Sequence, residues 1–144
     1  ALSSAGAVYM YRFDNVAESW VFHSKLVSNL PAGGGRFGFA IGLRGNQLVV
    51  GSPLDEDPSN AVGSAYAFSR TGDGSTAVWT LNQRFRMTAD QGSSAPLLFG
   101  LSLSLDGTGT RLAVSAPQAG PLVGSGVVGA VFVFERSGNT WTQS

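Results

Sequence analysis

Over residues 99–117, FGLSLSLDGTGTRLAVSAP, three leucines alternate with two serines as Leu101, Ser102, Leu103, Ser104, Leu105. A period of two puts one row of side chains on each face of an extended chain, so this run predicts a half-buried β-strand. Asp106-Gly107-Thr108-Gly109 follows, with residue types that accept the positive φ of a tight hairpin, and a second apolar run ends at Pro117. The stretch therefore predicts two antiparallel strands.

The same pattern occurs earlier. Phe37-Gly38-Phe39-Ala40-Ile41-Gly42-Leu43 aligns with Phe99-Gly100-Leu101-Ser102-Leu103-Ser104-Leu105, 62 residues on. Leu48-Val49-Val50-Gly51-Ser52-Pro53 aligns with Leu112-Ala113-Val114-Ser115-Ala116-Pro117, 64 residues on, and the difference falls in the turn between, which is Arg44-Gly45-Asn46-Gln47 in the first copy. A third segment occurs as Gly6-Ala7-Val8-Tyr9-Met10-Tyr11, Gly63-Ser64-Ala65-Tyr66-Ala67-Phe68 and Gly129-Ala130-Val131-Phe132-Val133-Phe134. Each is followed by a tryptophan, Trp20, Trp79 or Trp141, that marks a fourth segment. Val8, Ala65 and Val131 share one column of the third segment and Tyr9, Tyr66 and Phe132 the next, so this strand is apolar on both faces and belongs in the middle of packed sheets.

Four short antiparallel strands recurring about every 60 residues predict an all-β fold in which each repeat is one β-propeller blade, its faces covered by its neighbours. The chain then holds about two and a half blades: a half blade over 1–36 (third and fourth strands), a full blade over 37–98, and a blade over 99–144 with a truncated fourth strand. The aromatic columns are expected to fill the space between blades, where large rings bury most area. They comprise Tyr9, Tyr66 and Phe132, then Tyr11, Phe68 and Phe134, then Trp20, Trp79 and Trp141, with Phe37-Gly38 and Phe99-Gly100 opening the first strands. Closed propellers have roughly four to eight blades. The expectation is a window of a longer chain or, failing that, a protomer whose missing strands come from another subunit, as in a homo-oligomeric ring or fibre.

Composition agrees with short strands and many turns, since 43% of residues are hydrophobic, 12% are charged and 20 are glycine. The formal net charge is zero and Lys/Arg do not cluster, which leaves no electrostatic footprint for nucleic acid or an anionic membrane. With no cysteine there is no disulfide framework and no Cys-ligated zinc, and no apolar run approaches the ~20 residues of a membrane span.

Candidate chemistry is sparse. Asp55-Glu56-Asp57 is the one acidic cluster; Asp55 and Asp57 are candidate cation ligands, but consecutive carboxylates cannot all converge on one ion, and a solvated loop is expected. Gly124-Ser125-Gly126-Val127-Val128-Gly129 fits G-x-G-x-x-G, yet a strand pattern follows where that fingerprint needs a helix, so it reads as a loop. His23, the single histidine, has no G-x-S-x-G nucleophile elbow with it and reads as a surface residue. The channel-facing first strands offer Ala, Gly, Leu and Ser with no convergent acid or base, so no catalytic residue is assigned and no enzyme is expected. Arg44-Gly45-Asn46 is not the Arg-Gly-Asp adhesion signal, and no N-x-S/T sequon is present.

FGLSLSL…RLAVSAP…GAVFVFE and FGFAIGL…QLVVGSP…GSAYAFS resemble FG-GAP repeats, the blade units of the β-propeller in integrin α subunits and in many surface and secreted proteins. The resemblance implies a non-enzymatic extracellular or cell-surface module acting in adhesion, recognition or assembly, with a protein or glycan partner. A carbohydrate-binding propeller is the alternative, and a propeller-fold hydrolase a remote one. Many blades of this family carry an acidic calcium loop between the first two strands, with three or more oxygen ligands, as a hard cation requires. Here only Asp106 could serve, while Arg44 and Arg111 oppose a cation, so no calcium or other cofactor is expected at these turns.

Overall fold

The computed structural model describes residues 4–29, 34–57, 60–87, 97–119 and 129–144, and every strand pairing within them is antiparallel apart from two single bridges. β1 (Val8–Asp14) and β2 (Ser19–Leu26) form a two-stranded half blade. The middle blade is a four-stranded sheet in the order β3 (Ala40–Arg44), β4 (Gln47–Ser52), β7 (Ser64–Thr71) and β8 (Val78–Arg86), and a small ribbon of β5 (Glu56–Asp57) and β6 (Asn60–Ala61) lies between β4 and β7 in the chain. The third blade repeats that order with β9 (Leu103–Leu105), β10 (Arg111–Ala116), β11 (Ala130–Ser137) and β12 (Thr140–Gln143). The fold is thus all-β, built of propeller-type blades of four sequential antiparallel strands.

The repetition extends to a defect in the ladder. The β1–β2 register slips between Met10 and Tyr11, leaving His23 unpaired, and the β7–β8 register slips between Ala67 and Phe68, leaving Asn82 unpaired. A bulge at equivalent repeat positions adds local right-handed twist to each outer pair.

Two clusters make the core, and each lies between blades. One joins Val8 of the half blade to Phe37, Leu48, Val50, Tyr66 and Phe68 of the middle blade, with Met10, Leu26, Trp79 and Leu81 at its margin. The other joins Val49, Ala65, Ala67 and Phe85 of the middle blade to Leu112, Val114, Phe134 and Trp141 of the third, with Phe99 among them. Alternation along β7 explains the split, because Tyr66 and Phe68 face one neighbour while Ala65 and Ala67 face the other. Aromatic rings meet at angles throughout: Phe37 with Tyr66 at 5.2 Å, Phe99 with Phe132 at 5.6 Å and Phe85 with Phe134 at 4.7 Å.

The expectation of a third strand buried on both faces holds for β7 and fails for β1 and β11. Val8 is buried but Tyr9 is 55% exposed, and Phe134 is buried but Val131 is 67% exposed. The physical reason is that, among the described residues, the first and third blades have a neighbour on one side only.

The Phe-Gly pair does not start a strand, as the alternation suggests, but forms a hook before one. Phe99 N donates to Val62 O at 3.1 Å, and Phe99 forms a parallel bridge with Gly63 of the preceding blade; Phe37 does the same with Ala5 O and Gly6. The main chains approach closely here. A Cβ on Gly63, at φ +79°, would lie 2.3 Å from Phe99 O, and one on Gly100, at φ +87°, 2.3 Å from Ser64 O. No residue but glycine fits either place.

Gly100→Ala should therefore lower stability by more than ~1 kcal/mol in denaturant titration, whereas Gly45→Ala, in open space, should cost only the strain of its positive φ. Phe99→Ala should cost roughly 3–5 kcal/mol; a near-zero change would refute the inter-blade core.

Candidate functional site

The half blade presents an aromatic face to solvent. Tyr9, Tyr11, Phe13, Trp20 and Phe22 are all close to half exposed or more, Trp20 at 69%. Cross-strand pairing sets Tyr11 opposite Phe22 and Phe13 opposite Trp20, and the rings meet edge to face at 5.9 and 5.6 Å. Lys25 Nζ lies 5.4 Å over the Tyr9 ring. For Tyr9, Tyr11 and Trp20 this corrects the expectation of inter-blade burial. Their repeat equivalents Tyr66 and Phe68 are buried, and Trp79 half-buried, because the half blade covers them; no described sheet covers the half blade itself.

At the other end Val131 and Val133 are exposed, and they are the repeat equivalents of Ala65 and Ala67. The described chain thus carries both halves of its own blade-to-blade contact, an aromatic half at one end and a small aliphatic half at the other. The remaining predicted aromatics lie inside: Phe37, Phe99, Phe134 and Trp141 are buried, and Phe132 packs at the margin of the second cluster. Sequence reading missed Phe85, buried against Phe134 and Trp141, because its neighbours on β8 are Arg84 and Arg86 and no repeat column marks it.

Asp55 is not in a solvated loop. It is 3% exposed, with Ser52 Oγ 2.7 Å from its Oδ1, the Tyr66 hydroxyl donating to Oδ2, and Arg84 Nη2 at 3.8 Å. Ser28 of the half blade bonds Tyr66 OH at 2.9 Å, so the network crosses the blade interface. The correction has a clear cause: burial takes the carboxylate out of bulk water, and the Ser52 and Tyr66 hydroxyls hydrogen-bond it instead, with the Arg84 guanidinium nearby as counter-charge. Donors and a cationic side chain around both oxygens do not suit a metal ion. The Asp57 side chain and residues 124–128 of the G-x-G-x-x-G stretch lie outside the described residues. Among the described residues no group of three His, Cys, Asp or Glu side chains can hold a metal.

The β9–β10 hairpin turn is closed by its own side chains. Asp106 Oδ1 accepts from Thr110 N at 2.8 Å and Arg111 N at 3.0 Å, while Oδ2 accepts from Thr108 Oγ1 at 2.5 Å. These bonds, Thr108 foremost, hold its carboxyl well below the usual range. Arg111 pairs with Glu135 at 3.1 Å. His23 is also placed differently from the surface reading: half-buried, its Nε2 lies 2.8 Å from Ala77 O of the next blade, a contact its bulged position allows.

Together the sheets, their repeated bulges and the interleaved faces define a propeller-type blade module. Residues 20–68 match the family described as FG-GAP repeat, a span that begins at Trp20 in β2, crosses the first interface and ends at Phe68 in β7. This stretch of the chain is similar to an FG-GAP repeat. No curated protein matches it.

Burial raises the Tyr66 hydroxyl to about 12, with the adjacent Asp55 acting in the same direction. The folded state then keeps this proton above the unfolded tyrosine value of about 10. Stability should be intact below pH ~10 and fall as pH rises towards 12, a slope that Tyr66→Phe should diminish in pH-dependent denaturation. The same substitution should cost ~1–3 kcal/mol at neutral pH, because it strips a partner from a buried carboxylate.

Proposed function

We propose that the chain is a non-enzymatic structural and adhesive recognition module of the extracellular space or cell surface, working through its blade faces. The observation that carries this reading is the exposed aromatic row on β1 and β2, whose equivalent on the middle blade is buried by a sheet bearing Val8 and Met10. The favoured partner is accordingly a β-sheet presenting small aliphatic side chains. The Val131 and Val133 face has that character, and an equivalent face is supplied by a further blade of a longer chain or by a second copy. Such a contact joins unlike surfaces, which close into a ring where the rotation permits and otherwise propagate as a filament.

The inner strands support a binding role over a catalytic one. β3 and β9 bring Ile41, Gly42 and Leu43 towards Leu103, Ser104 and Leu105, and the two charged side chains of this cleft, Arg44 and Asp106, are engaged in hydrogen bonds of the turns. A carbohydrate-binding face is the second reading, favoured by the Lys25 ammonium beside the exposed Tyr9 ring, since sugars use stacking and hydrogen bonds together.

Sedimentation velocity separates these readings. The chain should self-associate with concentration, and Tyr11→Glu or Val131→Glu should each leave it monomeric with unchanged far-ultraviolet circular dichroism. An equimolar mixture of the two variants should give dimers and nothing larger, because each retains one intact face. A wild-type chain monomeric throughout, whose Tyr11 and Trp20 signals shift with oligosaccharide, would favour the second reading.

A further inference from the structure

We infer that arginine side chains at the inner hairpin turns of both full blades do the work that a bound cation does in acidic loops of this type, so that the rim they form is closed without calcium. The same device occurs twice. In the middle blade Arg70, on β7, reaches the β3–β4 turn, with Nε 3.1 Å and Nη2 2.8 Å from Asn46 Oδ1, and its main-chain N donates to Asn46 O at 2.8 Å. In the third blade Arg136, on β11, reaches the β9–β10 turn, with Nε 3.0 Å from Gly109 O and its main-chain N 2.8 Å from Thr110 O. Arg70 and Arg136 stand two residues after Phe68 and Phe134, at the same place in the repeat.

A third arginine links the two turns. Arg44, in the middle blade's turn, donates through Nε to Gly107 O of the third blade at 2.8 Å, and its stem lies against Gly109. The carbonyls of Gly107 and Gly109, which a cation could have used, are thus taken by guanidinium groups, and both Asp106 oxygens are committed to the loop's own hydrogen bonds. The donor set does not fit calcium, since a divalent ion would have to displace fixed positive charge and the bonds that shape the turn. A planar guanidinium suits this role because its several N–H groups hold more than one acceptor at fixed angles and its charge never titrates.

The test is thermal unfolding of the full chain in millimolar calcium and in excess chelator, joined to calorimetric titration with calcium alone. The same Tm in both media and no heat of binding are expected. Arg136→Ala should lower Tm by roughly 3 °C or more in either medium, and Arg136→Lys, which keeps the charge but loses the fork, should recover only part of it. Arg44→Gln, at an exposed position, should leave the fold intact and speed amide exchange at Gly109 and Thr110 relative to strand amides. A calcium-dependent rise in wild-type Tm, calcium binding lost with Asp106→Asn, or an unchanged Tm in Arg136→Ala would each overturn the inference.

Discussion

Neighbouring blades meet main chain to main chain at one place, and the rest of the packing is arranged around that contact. Gly63 and Phe99 share a bridge, and the Gly100 backbone lies against Ser64 and Gly51, with no room for a Cβ. Gly6 and Phe37 repeat the contact one blade earlier. A steric constraint of this kind is stricter than side-chain packing, because rings can change rotamer and a carbonyl oxygen cannot give way. It fixes the register of blade on blade, and the phenylalanine beside each glycine then anchors the cluster that fills the gap.

The strands and their order were legible in the sequence because both are local or periodic. Leu101, Leu103 and Leu105 announce an alternating strand, and recurring Phe-Gly, Ser-Pro or Ala-Pro and aromatic triplets set the four-strand unit. What escaped depends on contacts between distant segments. The Phe-Gly hook looks like the start of a strand because nothing local marks a parallel bridge to the previous blade. Asp55 reads as a solvated acid among acids, yet its surroundings come from Tyr66, Arg84 and Ser28, which the chain supplies from other strands. The arginines of the turns carried a usable signal, their equal spacing from Phe68 and Phe134, but only the fold shows that their side chains run back to the hairpins.

The aromatic columns show how one repeat position takes two roles. Tyr66 is wholly buried and holds a carboxylate, while Tyr9, its equivalent, lies open beside a lysine. Residue type alone cannot separate these states, since what differs is the presence of a sheet on one side. Hydrophobic pattern reports which surfaces favour being covered, and the covering partner is a property of the assembly.

The inner and outer rims of the stack are joined by different means. Near the Phe-Gly hook, backbone touches backbone, and Gly42 of β3 is so close to Leu103 of β9 that an added Cβ would lie 2.9 Å from its Cδ1. At the outer edge, β8 and β12 are bridged by a side chain: Gln83 receives Trp141 N at Oε1 and donates from Nε2 to Trp141 O, both at 2.9 Å. One amide thus imitates a strand partner across a wider gap. Two sheets held tight along one border and a side-chain length apart along the other form a wedge, and a wedge repeated at each step is a curvature. The glycines set its pivot, and the reach of Gln83 sets how far the fan opens.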